Sequence, residues 1–455
     1  MAPWHGRRRR TMSGKEWMSP FEPSAVRPFD LAAKAHLCRR AAFAAPPSLL
    51  KALEGKDPVA CARFFVQGEP ESADYKKFAG WREVFQVVDS KSVVAGSWLG
   101  RMELTRHPLR QRLALFWHDH FATGARKVQH PQWMDAQVRA FEEDGLGPFP
   151  RLLARVVKGP AMLRWLDADE NRKGHPNENL GRELLELFTL GRGNYSEKDI
   201  QEAARALTGW RIHRGDFSFL QRAHDKGPKT ILGETADFDG DALLALLVRQ
   251  PACAEFLAKK LCAALVGPGV PEEAVREFAG VLREKKLHIG DSLEILLASR
   301  LFYDPRFRGA RVRSPVDFLL WMARSMEAYM APRPLYFAAA KLGMRLLDPP
   351  DVGGWPKGKA WLAEAPWILR ARLASQIARG RKPGPMFPDL ETRFGDLSLE
   401  EALQELSGRL YPEGLSEAKR SLLLQQARES VDLPPKVALA GLFGSLCSLP
   451  EAWSE

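Results

Sequence analysis

Three short runs of the chain concentrate the side chains that most readily do chemistry near neutral pH. WHDH carries His118 and His120, RELLEL carries Glu183 and Glu186, and HDKG carries His224 and Asp225. Mixed imidazole and carboxylate sets suit zinc, manganese or iron. A divalent metal held this way can lower the pKa of a bound water enough to make a nucleophile near pH 7. On this reading His118, His120, Glu186 and His224 are metal ligands, and Glu183 and Asp225 are the catalytic carboxylates. Asp225 serves either as a further ligand or as the group that orients one. The reaction class is metal-assisted hydrolysis, and it requires the three runs to meet in one sheltered hollow.

Each run also has a plainer reading. In a continuous helix the two histidines of an H-x-H pair point almost oppositely, unlike the H-x-x-x-H of a zinc protease. His120 then shares an inward arc with Leu109, Leu113 and Phe116, and His118 serves a different surface. Glu178, Arg182 and Glu186 are spaced as i,i+4 surface pairs, and a His-Asp pair is common in turns. A separate loop, DADENRKGHPNEN, sets Asp167, Asp169, Asn171 and Glu178 at positions one, three, five and twelve of a helix-flanked calcium site. Arg172 occupies the place where such a loop needs glycine, so a polar turn competes with calcium there.

The elements that must position these groups are mostly helices. Asn177 to Trp210 reads as helix, glycine turn, helix. Leu180, Leu184, Leu187 and Phe188 share one arc, with Asn179, Glu183 and Glu186 on its flank. Ser196 and Asp199 form a capping box ahead of Ile200, Ala203, Ala204 and Leu207, and Gly209 can close that helix in the left-handed conformation. His107-Pro108 opens the helix that bears WHDH, and Ser314 caps a helix from Val316 to Tyr329. Asp241 to Leu265 is amphipathic helix. The best β-structure lies between Trp210 and Gly233, where Phe217 and Phe219 alternate before the run TILG. DPPDVGGWPKGKAW, with its prolines, glycines and two tryptophans, is an ordered loop packed over the helical body.

Several of these segments occur in the order of a known family. RPFDLAAKAHLCRRAAF, RMELTRHPLRQRLALFWHDHFATGARKV, NRKGHPNENLGRELLELFTLGRGNYSE, ALTGW, HDKGPKTILG, RSPVDF and DPPDVGGWPKGKAW together resemble the bacterial family called domain of unknown function 1800. The likeness covers roughly Pro28 to Trp361. It implies no reaction and no ligand set. It does imply that relatives are often exported and often accompany a second protein of alkaline-phosphatase type.

Composition narrows the remaining choices. The 455 residues are 45% hydrophobic with 13 tryptophans, enough for a large core, and 27% are charged, as in a soluble globular protein. The formal charge is +11, but the basic residues are scattered, apart from Arg7 to Arg10, and no nucleic-acid motif accompanies them. No apolar run is long enough for a membrane span, and polar residues follow RRRRTM where a signal peptide would be apolar. The expectation is a cytoplasmic protein without nucleic-acid or membrane partners. Five cysteines with no CxxC pair argue against a disulfide framework or a zinc knuckle and suit small buried hydrophobes.

The fold expected is mainly α, a large multi-helix globular bundle with one small β-hairpin and long ordered loops. Residues 1–27 form a flexible basic tail, 28–378 the main helical domain, 379–389 a linker and 390–455 a C-terminal helical subdomain. The alternative to a metal-dependent hydrolase is a non-catalytic helical protein that docks a partner protein, with the DPPDVGGW loop in the interface.

Overall fold

Helix starts are set by local chemistry. The computed structural model describes residues 16–80, 90–362, 364–379, 390–429 and 433–455. Helix α1 (Leu31–Ala42) begins where the Asp30 carboxylate accepts the amide of Ala33. Helices α2 (Pro108–His120) and α3 (Pro131–Asp144) each carry proline in the first turn, where its missing N–H costs nothing. Helix α4 (Asn179–Glu183) runs directly into a π-turn over Leu184–Thr189. Helix α5 (Glu197–Ala206) opens on the Ser196–Asp199 capping box, and Gly209 follows it with φ of 87°.

Two antiparallel hairpins come next, one more than the sequence suggested. Strand β1 (Trp210–His213) pairs with β2 (Asp216–Phe219), and β3 (Lys229–Ile231) pairs with β4 (Glu234–Ala236). TILG does not join the Phe217 strand. Leu232 and Gly233 both take positive φ, so the chain reverses at once and TIL pairs locally. Helix α6 (Pro251–Leu265) lies against Glu272–Glu284. Helix α7 (Pro315–Ser325) starts on the Ser314–Asp317 capping box and ends before the expected Tyr329, with Glu327 at φ 48° just beyond.

The C-terminal helices α8 (Leu399–Leu410), α9 (Glu417–Arg428) and α10 (Pro435–Leu446) pack on one another, and α10 also packs on Glu364–Ala378. They share the core of the body: buried apolar side chains form one cluster from Trp17 to Trp453. Each fully buried Leu or Phe in such a cluster contributes about 1.5–3 kcal/mol. At the far end of the chain, Arg311 and Glu455 exchange both backbone hydrogen bonds. Most of the linker, 380–389, and tail residues 1–15 lie outside the described residues. Of the rest of the tail, Trp17, Met18 and Phe21 are buried, with Glu277 accepting the amides of Trp17 and Met18, while residues 22–26 are exposed.

All five cysteines are buried thiols. Among the described residues no helix is long and apolar enough to cross a membrane.

Candidate ligand-binding site

Helix α2 continues unbroken to His120, and both histidines at its end are enclosed. His118 faces a different side of α2 from His120, as the unbroken helix implies, and that side too is covered by packing. His118 lies among Trp98, Phe141 and Trp355. Its Nε2 accepts the amide of Leu347 at 3.1 Å, so the neutral ring carries its proton on Nδ1. Burial pushes its pKa down to about 3. Leu347 is held in the left-handed region, φ 63°, between that bond and its own carbonyl, which accepts from Ala125. His118 therefore fixes the turn that leads into DPPDVGGW.

His120 points the other way, into Phe116, Phe121, Phe188 and Phe256. Its Nε2–H donates to the carbonyl of Phe188 at 3.1 Å, leaving Nδ1 as a buried acceptor with no partner among the described residues. Burial, then Lys260 and Lys357, hold its pKa well below the usual value.

The acidic run is turned by the π-turn. Leu190 and Gly191 both donate to the carbonyl of Leu185, and the Thr189 hydroxyl donates to Leu184. The extra residue rotates the register past Leu184, so Leu185 rather than Leu187 joins Leu180, Leu184 and Phe188 inside. Glu186 receives the Arg192 guanidinium at 2.5 Å and the Tyr195 hydroxyl at 3.0 Å. Glu183 is half-buried and has no hydrogen-bond or ion-pair partner among the described residues. Burial, and next the charge of Glu186, raise its pKa to about 7.

His224 and Asp225 sit on the loop between the hairpins. His224 Nδ1–H donates to the carbonyl of Thr208 at 2.9 Å. Asp225 takes a two-pronged contact from Arg205, at 2.8 and 3.1 Å, and Arg205 holds its carboxyl down at about 2. The loop once matched to calcium is organised by other contacts. Asp167 pairs with Lys127, Asp169 with Arg164 and Glu178 with Arg182, while the buried Asn171 amide bridges Ala204 and Asn177. His118, His120, the glutamate pair and the His224–Asp225 pair thus occupy four separate surroundings. No group of three or more His, Cys, Asp or Glu among the described residues is placed to hold a metal ion.

What the fold does bring together is a different set. A cavity of about 410 Å³ lies between α2, α6, the start of α7 and the GGWPKGKAW loop, within the size range of small-molecule sites. Its walls are largely apolar, with Leu113, Phe116, Leu261, Met344, Trp355 and Trp361 prominent. Its charged groups are Arg112, Arg311, Asp317, Asp119, Lys357 and Lys260.

Most of these charges are spoken for. Asp317 is fully buried and pairs with Arg112 and with Arg311, the latter at 3.0 Å. Burial opposes its charge, but the two guanidiniums and the Ser314 cap hold the carboxyl far below the usual range. Arg311 and Arg112 also face the side chain of Glu455. Asp119 accepts the amide of Trp355 at 2.9 Å and pairs with Lys357 at 3.0 Å. The loop can come this close only because Gly354 has no side chain: its φ is +92°, and a Cβ there would meet Asp119 Oδ1 at 2.2 Å.

Lys260 is the exception. Its Nζ lies 5.0 Å from the centre of the Phe256 ring and 3.4 Å from the carbonyl of Leu187, and no carboxylate pairs with it among the described residues. Burial, and secondly the like charge of Lys357, lower its pKa to about 7 against the pull of Asp119. Sequence reading missed this residue. It is half-buried at the border of the buried face of α6, beside Leu257 and Leu261, and its sequence spacing does not set it apart from other lysines on amphipathic helices.

No curated protein and no solved structure matches the chain. A family model described as "Protein of unknown function (DUF1800)" matches residues 36–452. The WHDH, RSPVDF and GGWPKGKAW segments that meet at the cavity all lie inside that match, and the chain belongs to the DUF1800 family.

Proposed function

We propose that this protein binds a small molecule with an apolar body and a single acidic head group in the cavity between α2 and α6. One observation carries the reading. Segments far apart in the chain, around Asp119, Ser314 and Trp355, line one largely apolar hollow whose acids are already paired, while one cation has no carboxylate partner among the described residues. Phe116, Trp355 and Trp361 suit the apolar body, and Lys260 is the group left to meet the acid. A half-buried cation against apolar walls without a partner is costly, and a ligand carboxylate or similar anion offsets that cost.

Calorimetric titration of the full chain with decanoate and with decan-1-ol tests the reading. Decanoate is expected to bind saturably. Lys260→Met is expected to weaken it about 10-fold or more, as loss of a hydrogen bond to a charged group does, and to leave decan-1-ol little changed. Absence of saturable binding, or an equal loss for both ligands, would overturn the reading.

A further inference from the structure

The geometry around Lys260 does more than leave a cation unpaired. We infer that Lys260 is a nucleophilic amine that condenses with an aldehyde or ketone bearing an apolar body, an inference that rests on the cavity being a ligand site. Three features of the fold prepare it. The side chain opens on apolar walls, where an ammonium is poorly solvated and only the Phe256 face beside it favours the charge. No carboxylate among the described residues neutralises it, because Asp119 is engaged by Lys357 and the Trp355 amide. Lys357 adds a like charge on the facing loop, so the second cation favours the neutral amine. Its one polar contact among the described residues, the Leu187 carbonyl at 3.4 Å, accepts an N–H and leaves the nitrogen lone pair available.

The step balances without an oxidant or reductant. The neutral Nζ attacks the carbonyl carbon, a C–N bond forms, and the carbonyl oxygen takes a proton to give a carbinolamine. The nitrogen lone pair then expels that oxygen. Both hydrogens of the amine end on it as water, and a C=N double bond remains. Lys357 acts through its like charge and through its hold on Asp119, and is a positioning residue.

The test incubates the full chain at pH 7 with 3-phenylpropanal and sodium cyanoborohydride, which reduces the imine to a stable secondary amine, and maps the product by peptide mass spectrometry. Lys259, exposed and adjacent on the same helix, is the internal reference. An ordinary lysine is only about 0.04% neutral at pH 7, so Lys260 is expected to label at least ~10-fold faster than Lys259. Lys357→Met removes the like charge, so it should slow labelling of Lys260 at pH 7 several-fold and move its half-point to higher pH. Equal rates at Lys259 and Lys260 would overturn the assignment, as would a Lys357→Met profile that does not move. Decanoate titration of the same preparation separates the two readings. Binding without preferential labelling removes the amine chemistry alone, and loss of both removes the cavity as a ligand site.

Discussion

Lys357 grips the Asp119 carboxylate at 3.0 Å and thereby leaves Lys260, on the same cavity, without a counter-ion of its own. The arrangement costs stability. It is the kind of local cost that folded chains carry where a group is kept for use.

The first prediction measures that cost through pH. Lys260 has its folded-state pKa lowered to about 7, against about 10.4 in an unfolded chain. Between those values the unfolded state binds more protons, so stability rises with pH across the window. The cost is fully present below pH 7 and is gone above about pH 10.4. Lys260→Met should therefore be more stable than the parent by on the order of 2 kcal/mol at pH 6, with the gain fading toward pH 10. Urea denaturation at pH 6, 8 and 10 reads this directly, and a gain that does not vary with pH would mean an ordinary lysine.

His118 should behave as a structural acceptor. His118→Leu leaves the Leu347 amide buried without a partner, a loss of about 1–3 kcal/mol. The folded pKa of His118, about 3, is below the unfolded value of ~6.5, so keeping the ring neutral costs the parent stability as pH falls through that interval. The deficit of His118→Leu should be constant above pH 6.5 and should narrow as pH drops toward 3. Thermal melts across pH 4–8 would show it, and a deficit that widens in acid would contradict this placement.

Asp317 joins the cavity wall to the end of the chain. It caps α7, pairs with Arg112 and Arg311, and those arginines also face Glu455. Removing one partner of a buried ion pair typically costs about 3–5 kcal/mol, because the other charge is stranded. Asp317→Asn is expected to lose stability on that scale, and adding Arg112→Met should recover part of it. A single variant as stable as the parent would show that the arginines find compensation elsewhere.

The chain announced its helices better than its site. The Ser196–Asp199 capping box and the Ser314 cap are local hydrogen-bond patterns, and both formed where the sequence placed them, Asp317 completing the second as a box. The π-turn at Leu184–Thr189 left no such mark. It depends on Thr189 and the glycine that follows, and it exchanges Leu187 for Leu185 at the core. The family likeness was legible because its segments are long and ordered along the chain. The gathering of His118, Glu186 and His224 was a guess about long-range placement, which residue types alone do not encode. The fold instead gave His118 to Leu347, Glu186 to Tyr195 and Arg192, and His224 to Thr208. Lys260 was hidden for the opposite reason. Lysines are common on amphipathic helices, and only the tertiary wall built by Trp355 and Lys357 makes this one unusual.

Glu183 provides the last and sharpest test of the acidic run. With its folded pKa raised to about 7 by burial and by Glu186, it binds a proton in the native state over a range where the unfolded chain, at ~4.3, has released it. Stability therefore falls as pH rises from about 4.3 to 7, and the full cost is present above pH 7. Glu183→Gln removes the charge and nearly keeps the shape. It should match the parent at pH 4 and exceed it at pH 8, by no more than about 1 kcal/mol because the group is only half-buried. Glu186→Gln in the parent chain, with Glu183 intact, separates the two causes. If the neighbouring charge matters, Glu183 alone should then titrate closer to the ordinary range, and a carboxyl-selective NMR titration would follow it. A Glu183 signal that moves near pH 4.3 in the parent would show that the carboxylate is solvated after all, and the stability difference at pH 8 should then vanish with it.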